Sequence, residues 1–260
     1  MLFPLTLTLD FKQIVEGAIF LKKLNIQKFD FMHVVSSGLI NTDTFQDVLQ
    51  NAVEIIKQKT GYDASARMVE GHAASMIVYT AKDHDYNLIF IPAQNKSIMT
   101  RTFLGSTASD VIRMTDTPTL IYKNYSDKTT YWQTVVYATD FKVAATRAVP
   151  YIEFLGQVAS KLVILHVGTR AADPGSENKR IDYIKEKFKD LKRDLEPYWR
   201  EIFTFTGLGS PAGEIRSGME KFNADLLVMG RGNKTILKKL IGSTAERVAN
   251  SLETSVLLIP

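Results

Sequence analysis

The chain has 260 residues, of which 45% are hydrophobic and 23% charged, so it carries enough apolar material for folded cores. It contains no cysteine, which excludes disulfides, thiolate metal sites and cysteine nucleophiles. Its 32 basic and 28 acidic residues nearly balance, and the signs alternate between Asn178 and Asp194. This pattern is typical of a solvated helix face rather than of a specific nucleic-acid surface.

Signals for export or membrane insertion are also missing from the sequence. No run of about 18 apolar residues is present, so no membrane span is predicted. The first residues, MLFPLTLTLDFK, have no basic segment followed by an apolar stretch and a cleavage site. We therefore expect a cytoplasmic protein without a membrane partner.

The first half of the chain contains two early apolar segments, Leu7–Phe11 and Phe31–Val35. It closes with a Gly-Ser-Thr-Ala tetrapeptide at Gly105–Ala108, a predicted helix and the predicted strand Thr117–Lys123. The polar stretch Asn124–Trp132 follows and is the predicted linker.

The second half of the chain is predicted to form five strands that alternate with four helices. The predicted strands are Thr134–Thr139, Lys161–Val167, Glu201–Gly207, Ala224–Gly230 and Thr254–Pro260. Pro150 should kink the first helix, because proline lacks an amide hydrogen. The third helix should bury Ile215, Met219 and Phe222, which recur at helical spacing.

The two halves repeat one pattern. Gly105–Ala108 and Gly242–Ala245 are identical tetrapeptides at an offset of 137. Further pairs keep the same order along the chain: Ile91 with Met229 at an offset of 138, Phe31–Val35 with Ile164–Gly168 at 133, and Leu7–Phe11 with Tyr137–Phe141 at 130. The last of these pairs equates Asp10 with Asp140. The shared order indicates a duplication. Strands alternating with helices predict two tandem doubly wound α/β domains, 1–124 and 133–260, each a five-stranded parallel sheet flanked by helices.

One edge of the second sheet is the predicted site, because open parallel sheets bind ligands beyond the strand ends where the strand order reverses. Asp140 follows the first strand, Val167 lies at the end of the second, and Gly230–Thr244 joins the fourth strand to the last helix. Glycines and a helix N-terminus expose backbone N–H groups to an anion, which predicts a phosphate cradle. The alternative is that Gly242 and Ser243 only start a helix and that Asp140 only caps one.

The end of the chain, LLVMGRGNKTILKKLIGSTAERVANSLETSVLLIP, closely resembles the end of a universal stress protein domain. The family's pattern is a glycine, two residues, a glycine, nine residues, a glycine, and then Ser or Thr. Gly232, Gly242 and Ser243 match it, but only one residue separates Gly230 from Gly232. VVYATDF and ILHV resemble the family's first two strands. The resemblance covers both halves and implies a tandem universal stress protein with an adenine nucleotide alpha hydrolase-like fold.

The resemblance also implies ATP binding, as in one branch of the family. The implied contact residues are Ala138, Thr139, Asp140, Val167, Gly230, Gly232, Asn233, Gly242, Ser243 and Thr244. Asp140 would sit by the nucleoside, Val167 would offer backbone groups to adenine, and the glycine loop would hold the phosphates. Whether Mg²⁺ accompanies the nucleotide stays open.

The first half departs further from the family's pattern. Pro92 and Asn95 stand where the two earlier glycines belong, although Gly105, Ser106 and Thr107 are kept. Proline has no N–H to donate to a phosphate, and an asparagine side chain fills space that a glycine leaves open. We therefore expect one ATP per chain, in the second domain only.

Three functions remain open at this point. The leading hypothesis is a stress-response regulatory protein that binds ATP without catalysis, because no histidine or carboxylate lies in Gly230–Thr244. The alternative is a nucleotide-independent stress adaptor that contacts unidentified proteins, and the third is a slow ATPase. Because family members pair through their last strands, the resemblance implies that Thr117–Lys123 and Thr254–Pro260 pair within the chain as a pseudo-dimer. A further homodimer stays open.

Overall fold

The computed structural model describes residues 1–5, 24, 26, 28–35, 43–93, 104–123, 132–232 and 243–260. The chain divides into two compact units, of which the first contains Met1–Thr130 and the second contains Tyr131–Asn233 and Ile241–Ile259. In the part of the chain that these ranges cover, no helix is both long enough and apolar enough to cross a membrane.

The first unit holds a five-stranded parallel sheet in the order β3-β2-β1-β4-β5. Its strands are β1 (Leu2–Leu5), β2 (Lys28–Val35), β3 (Asp63–Glu70), β4 (Ile89–Pro92) and β5 (Thr119–Tyr122), and its described helices are α1 (Asp43–Thr60), α2 (Ala73–Asp83) and α3 (Ser106–Met114). The helices form on amphipathic segments: α1 buries Leu49, Ala52, Val53 and Ile56, which lie three or four residues apart on one face.

The second unit repeats this connectivity, with the sheet order β8-β7-β6-β9-β10 and every pair parallel. Its strands are β6 (Thr134–Ala138), β7 (Lys161–Gly168), β8 (Glu201–Leu208), β9 (Leu226–Gly230) and β10 (Ser255–Ile259), and its described helices are α4 (Val143–Thr146), α5 (Val149–Leu155), α6 (Pro174–Leu195), α7 (Pro211–Lys221) and α8 (Ser243–Ser251). All residues of β6 and β10 are buried, as in strands covered on both faces. The predicted tandem, doubly wound α/β fold is confirmed.

Two helices differ from their predictions. The helix that Pro150 should only kink is divided into α4 and α5, and Pro150 lies in the first turn of α5, where a missing amide hydrogen costs nothing. Phe222 lies just after α7 instead of within its buried stripe, and its ring packs against Phe205 at a centroid distance of 5.9 Å. The buried residues of α7 are Ile215, Gly218 and Met219.

The register of β1 changes how the beginnings of the two repeats align. β1 ends at Leu5, and the Leu5 carbonyl lies 3.0 Å from Nδ1 of His33. In the second unit, the Thr139 carbonyl makes the same contact with His166 at 2.9 Å. Leu5 therefore corresponds to Thr139, so Asp10 is not the counterpart of Asp140. Asp10 itself lies outside the described residues.

A buried carboxylate joins three segments of the first unit. Asp30 in β2 accepts hydrogen bonds from Ser65 in β3 and from the Tyr86 hydroxyl, the latter at 2.5 Å. Burial raises the pKa of Asp30, but these two hydrogen bonds and the nearby Lys28 and Arg67 outweigh it, and the pKa lies below its ordinary value. Burial and the bond to Asp30 raise the pKa of Tyr86 to about 12. This cluster holds β2, β3 and the segment before β4 together.

Candidate functional site

The candidate site lies at the carboxyl edge of the second sheet, where β6 and β9 are neighbours. The chain proceeds from β6 to β7 on one side and from β9 to β10 on the other, so the strand order reverses between β6 and β9. Such a reversal opens a crevice beyond the strand ends. A cavity of about 270 Å³ occupies this crevice, with walls from β6, β7, β9, α7 and α8.

The structure brings most of the predicted contact residues to this cavity. Those that line it are Ala138, Thr139, Asp140, Val167, Gly230, Gly232 and Thr244. Ser243 is the first residue of α8. Asn233 and Gly242 lie outside the described residues. The role of these residues as ligand contacts stays a prediction.

The cavity also has walls that sequence reasoning missed. The additional lining residues are Ala145, Leu165, Pro211, Ile215, Met229, Arg231 and Ala245. All but Arg231 are apolar. Ile215 was predicted only as a core residue of its helix, because a periodic pattern cannot tell whether a buried face borders a crevice. The signal that could have identified Arg231 is its place between the two glycines of the loop.

The turn after β6 presents Thr139 and Asp140 to the cavity. The Thr139 N–H donates to the Leu165 carbonyl at 2.8 Å, which ties the turn to β7. The Thr139 hydroxyl accepts from the Phe141 N–H at 3.0 Å, and Oδ1 of Asp140 accepts from the Lys142 N–H at 3.0 Å. Asp140 thus stabilises the turn just before α4 but does not cap that helix, whose N-cap is Lys142 without a side-chain cap bond. Its half-exposed side chain borders the cavity.

The turn after β6 is also stabilised by an aromatic contact and by a hydrogen bond to a histidine. Phe141 adopts a φ of +59°, which is unfavourable for a bulky residue, and its ring stacks on His166 with centroids 4.5 Å apart. Nδ1 of His166 must carry the proton in its contact with Thr139, because a carbonyl oxygen can only accept. His33 is buried and His166 half-buried, and each bonds to a backbone carbonyl at the end of the neighbouring strand, so both histidines have a structural role.

Tyr137 lies in β6 directly before Ala138, which lines the cavity. Its side chain is almost fully buried, and its hydroxyl donates to the Ala145 carbonyl at 2.7 Å. Burial is the main reason that the pKa of Tyr137 is raised to about 12. The phenol therefore stays protonated at neutral pH and joins β6 to the helix that follows it.

The loop after β9 offers exposed backbone. Arg231 continues the sheet by one residue, since its N–H donates to the Ile259 carbonyl at 2.7 Å. Gly232 then adopts a φ of +78°, and, its chain neighbours aside, no atom of the described residues lies within 4 Å of the position that a Cβ would take there. A positive φ favours glycine. The open space allows a ligand to approach the backbone of Gly232 closely.

The corresponding loop of the first unit differs in composition. Pro92 ends β4 and pairs with Tyr122, and the Ala93 N–H donates to the Tyr122 carbonyl at 2.8 Å, as Arg231 does to Ile259. Pro92 thus matches Gly230, and Ala93 matches Arg231. Asn95 lies outside the described residues. The chain therefore places a proline and an alanine where the second unit has a glycine and an arginine.

The start of α3 has no side-chain cap. Gly105 occupies the N-cap position with a φ of −62°, and Ser106 is the first helical residue. Ser106 therefore lies one residue past the cap position. A glycine is also accepted at an N-cap, so the helix needs no ligand to explain this position.

The lining of the cavity suits a ligand that has an apolar part and one anionic end. Val167, Ile215 and Met229 supply apolar surface, and Thr244 lies in the first turn of α8, where backbone N–H groups lack helical partners. Among the lining residues that the structure describes, Asp140 is the carboxylate and Arg231 the cation. No histidine belongs to this described lining.

Comparisons with known proteins agree with the fold. A sequence model of the universal stress protein family matches residues 30–123 and again residues 132–260. Over 76 residues, 29% of this chain, the sequence is 41% identical to universal stress protein MJ0531 of Methanocaldococcus jannaschii, and the match spans 45% of that protein. Over 153 residues it is 26% identical to universal stress protein MJ0577 of the same organism, which covers 49% of this chain and 94% of that protein.

Solved structures share the architecture over almost the whole chain. A universal stress protein from Archaeoglobus fulgidus superimposes with a TM-score of 0.76 and 19% identity, over 99% of this chain and 97% of that one. A putative universal stress protein from Pseudomonas aeruginosa superimposes with a TM-score of 0.74 and 16% identity, over 99% and 91%. At these identities the structural likeness shows the fold alone. Because the family's sequence pattern matches in two stretches that together span most of the residues, the chain belongs to the universal stress protein family and carries two of its domains in tandem.

Proposed function

We propose that this protein binds ATP in its second unit, as a regulatory ligand in a stress response. The observation that carries the proposal is the cavity at the strand reversal, which is bordered by the positive-φ Gly232 and by the first turn of α8. Its apolar walls suit a nucleoside, and backbone N–H groups at a glycine turn and at a helix N-terminus are suited to phosphates, which supports the proposal. Whether Mg²⁺ joins the nucleotide stays open in this proposal.

One nucleotide per chain is part of the proposal. In the first unit, the place of Gly230 is taken by Pro92, which has no N–H to donate. The side chain of Pro92 is also buried in the sheet, whereas Gly230 at the same strand end has no side chain. These differences favour binding in the second unit only.

We also propose that the nucleotide is bound without catalysis. Activation of water needs a base within hydrogen-bond reach of the reacting atom. Within the described lining, Asp140 is the carboxylate, and one of its oxygens already accepts the Lys142 N–H. If the wild type releases phosphate from ATP and the Asp140→Ala variant does not, this part of the proposal is contradicted.

The test is a titration of the full chain with ATP by calorimetry. Asparagine also tolerates a positive φ, but its side chain would fill the open space at Gly232. We therefore expect Gly232→Asn to bind ATP at least about tenfold more weakly than the wild type. Gly105→Asn makes the same exchange in the first unit, also at a position with nothing within 4 Å of a Cβ, and should bind ATP like the wild type. No binding by the wild type, or equal binding by both variants, would overturn the proposal.

The second candidate is a stress adaptor that acts without nucleotide. It is favoured by the short loop, in which Arg231 alone separates Gly230 from Gly232. A mass spectrum of the small molecules that co-purify with the native protein separates the two candidates. A bound adenine nucleotide supports the first, whereas an empty protein that also fails to bind added ATP supports the second.

The family resemblance leads to one further proposal, on assembly. We propose that Thr117–Lys123 and Thr254–Pro260 pair within the chain, so that neither strand presents an unpaired edge. A compact monomer of this length should have a radius of gyration of about 18 Å. Small-angle scattering that gives a clearly larger value for the monomer would contradict the pairing.

A further inference from the structure

Arg231 is an unusual residue for its position. It lies between two glycines in the loop after β9, yet only 5% of its surface is exposed, and it lines the cavity. A guanidinium stays protonated in proteins, so a positive charge borders the site.

The backbone of Arg231 is held in place by the sheet. Its N–H donates to the Ile259 carbonyl at 2.7 Å, and the left-handed turn begins only at the next residue, Gly232. Arg231 therefore lies on the last rung of the sheet. A residue whose backbone is fixed in this way can help to orient a ligand.

The charge of the described lining also depends on this residue. Arg231 and Asp140 are its charged members, and the others are neutral. Asp140 is half-exposed and follows β6, whereas Arg231 follows Gly230, the last residue of β9. Among the described lining residues, the positive charge therefore lies at the end of β9.

The first unit provides an internal comparison. Ala93 occupies the same place and donates the same kind of hydrogen bond, to the Tyr122 carbonyl at 2.8 Å. The sheet position thus exists in both units, but only the second has a cation there. An arginine is not required to end the strand, because alanine ends it in the same way.

We propose that Arg231 recognises the phosphate group of the nucleotide, so that the second unit selects nucleoside phosphates over the uncharged nucleoside. This inference rests on the proposed function and assigns the selectivity of that site to one side chain. Hydrogen bonds between arginine and phosphate are charge-assisted and can be bidentate, which makes them stronger than those from backbone N–H groups alone.

The experiment measures binding of adenosine, AMP, ADP and ATP to the full chain by calorimetry, for the wild type, Arg231→Ala and Arg231→Lys. Arg231→Ala should weaken ATP binding by roughly 10- to 100-fold and change adenosine binding by less than about twofold. Arg231→Lys keeps the charge and should recover most of the preference for ATP. Arg216→Ala removes an exposed arginine of α7 outside the cavity and should bind all four ligands like the wild type.

The outcomes separate this inference from the proposed function. If wild type binds ATP but Arg231→Ala loses adenosine and ATP equally, Arg231 only shapes the site and the inference is overturned. An unchanged preference for ATP in Arg231→Ala overturns it as well. If wild type binds neither ligand, the proposed function fails and the inference falls with it. If Arg231→Ala does not fold, the inference is tested by the ligand preference of Arg231→Lys and by the salt dependence of the wild-type preference for ATP. A preference that does not weaken with added salt contradicts a charge-based role.

Discussion

Replacement of Gly156 by alanine is expected to be strongly destabilising. Gly156 follows α5 with a φ of −62° and a ψ of −17°, a conformation that any residue can adopt. The obstacle is a neighbouring segment: a Cβ on Gly156 would lie 2.3 Å from the carbonyl oxygen of Tyr198 and 2.9 Å from its carbonyl carbon. These atoms belong to the backbone, so they cannot rotate away as a side chain would.

The magnitude follows from the overlap. Carbon and oxygen normally approach no closer than about 3.3 Å, so one of the two segments must move by about 1 Å. Overpacking of this kind costs about 1–3 kcal/mol. The indole N–H of Trp199 donates to the Ile152 carbonyl at 3.1 Å across the same contact, and its loss adds about 1 kcal/mol. We expect Gly156→Ala to lower the free energy of unfolding by about 2–4 kcal/mol.

Urea unfolding followed by tryptophan fluorescence measures this effect. The chain has two tryptophans, Trp132 and Trp199, and both are buried in the second unit, so the signal reports on the unit that carries Gly156. The matched control is Gly213→Ala in α7, where the nearest atom to a Cβ lies at an ordinary 3.7 Å. Alanine in an exposed helix should stabilise by about 0.5–1 kcal/mol.

The comparison of the two variants can refute the reasoning. If Gly156→Ala unfolds at the same urea concentration as Gly213→Ala, or at a higher one, the contact with Tyr198 is not rigid. A lower midpoint for Gly156→Ala, together with an unchanged or higher midpoint for Gly213→Ala, supports a specific steric effect rather than a general cost of losing glycine.

Three further substitutions test other contacts. Asp30→Asn should lower the free energy of unfolding at pH 7 by about 1–3 kcal/mol. The lowered pKa of Asp30 favours the folded state above the unfolded pKa of about 4, so this difference should shrink as the pH falls from 5 to 2 in urea unfolding followed by circular dichroism. Tyr86→Phe should make unfolding less sensitive to alkali, because the wild type, with a Tyr86 pKa of about 12, loses stability as the pH rises from about 10 to 12. Gly218→Ala should place a Cβ 2.3 Å from Cδ1 of Leu165. It should destabilise by about 1–2 kcal/mol and, since Leu165 lines the cavity, also weaken ligand binding in the calorimetric titration.

Local patterns were sufficient to predict the elements of the second unit. The apolar run Lys161–Val167 became β7 with one added residue, because a central parallel strand must be apolar on both faces. Pro150 was recognised as a problem for its helix, but its effect was underestimated. Whether a helix bends or divides at a proline depends on whether the surrounding structure can restore the lost hydrogen bond, and sequence periodicity does not contain that information.

The equation of Asp10 with Asp140 shows a second limit of local patterns. The stretch LTLTLD alternates with a period of two, so it can be aligned with the second half in more than one register. The register is decided by pairing with β2, which places Leu5 beside His33. Strand register is a property of two segments together, so similarity to one distant copy could not settle it.

By itself, the sequence determined that the chain is a duplicated α/β fold and that the two loops differ, Gly232 in one and Asn95 in the other, because both follow from residues close together along the chain. The tertiary structure alone decided that Leu165, Ile215 and Thr244 share one cavity and that Arg231 is buried at its edge. The reason is physical: burial and proximity arise from the packing of strands and helices that lie far apart in the chain, and no local pattern encodes which of their faces meet.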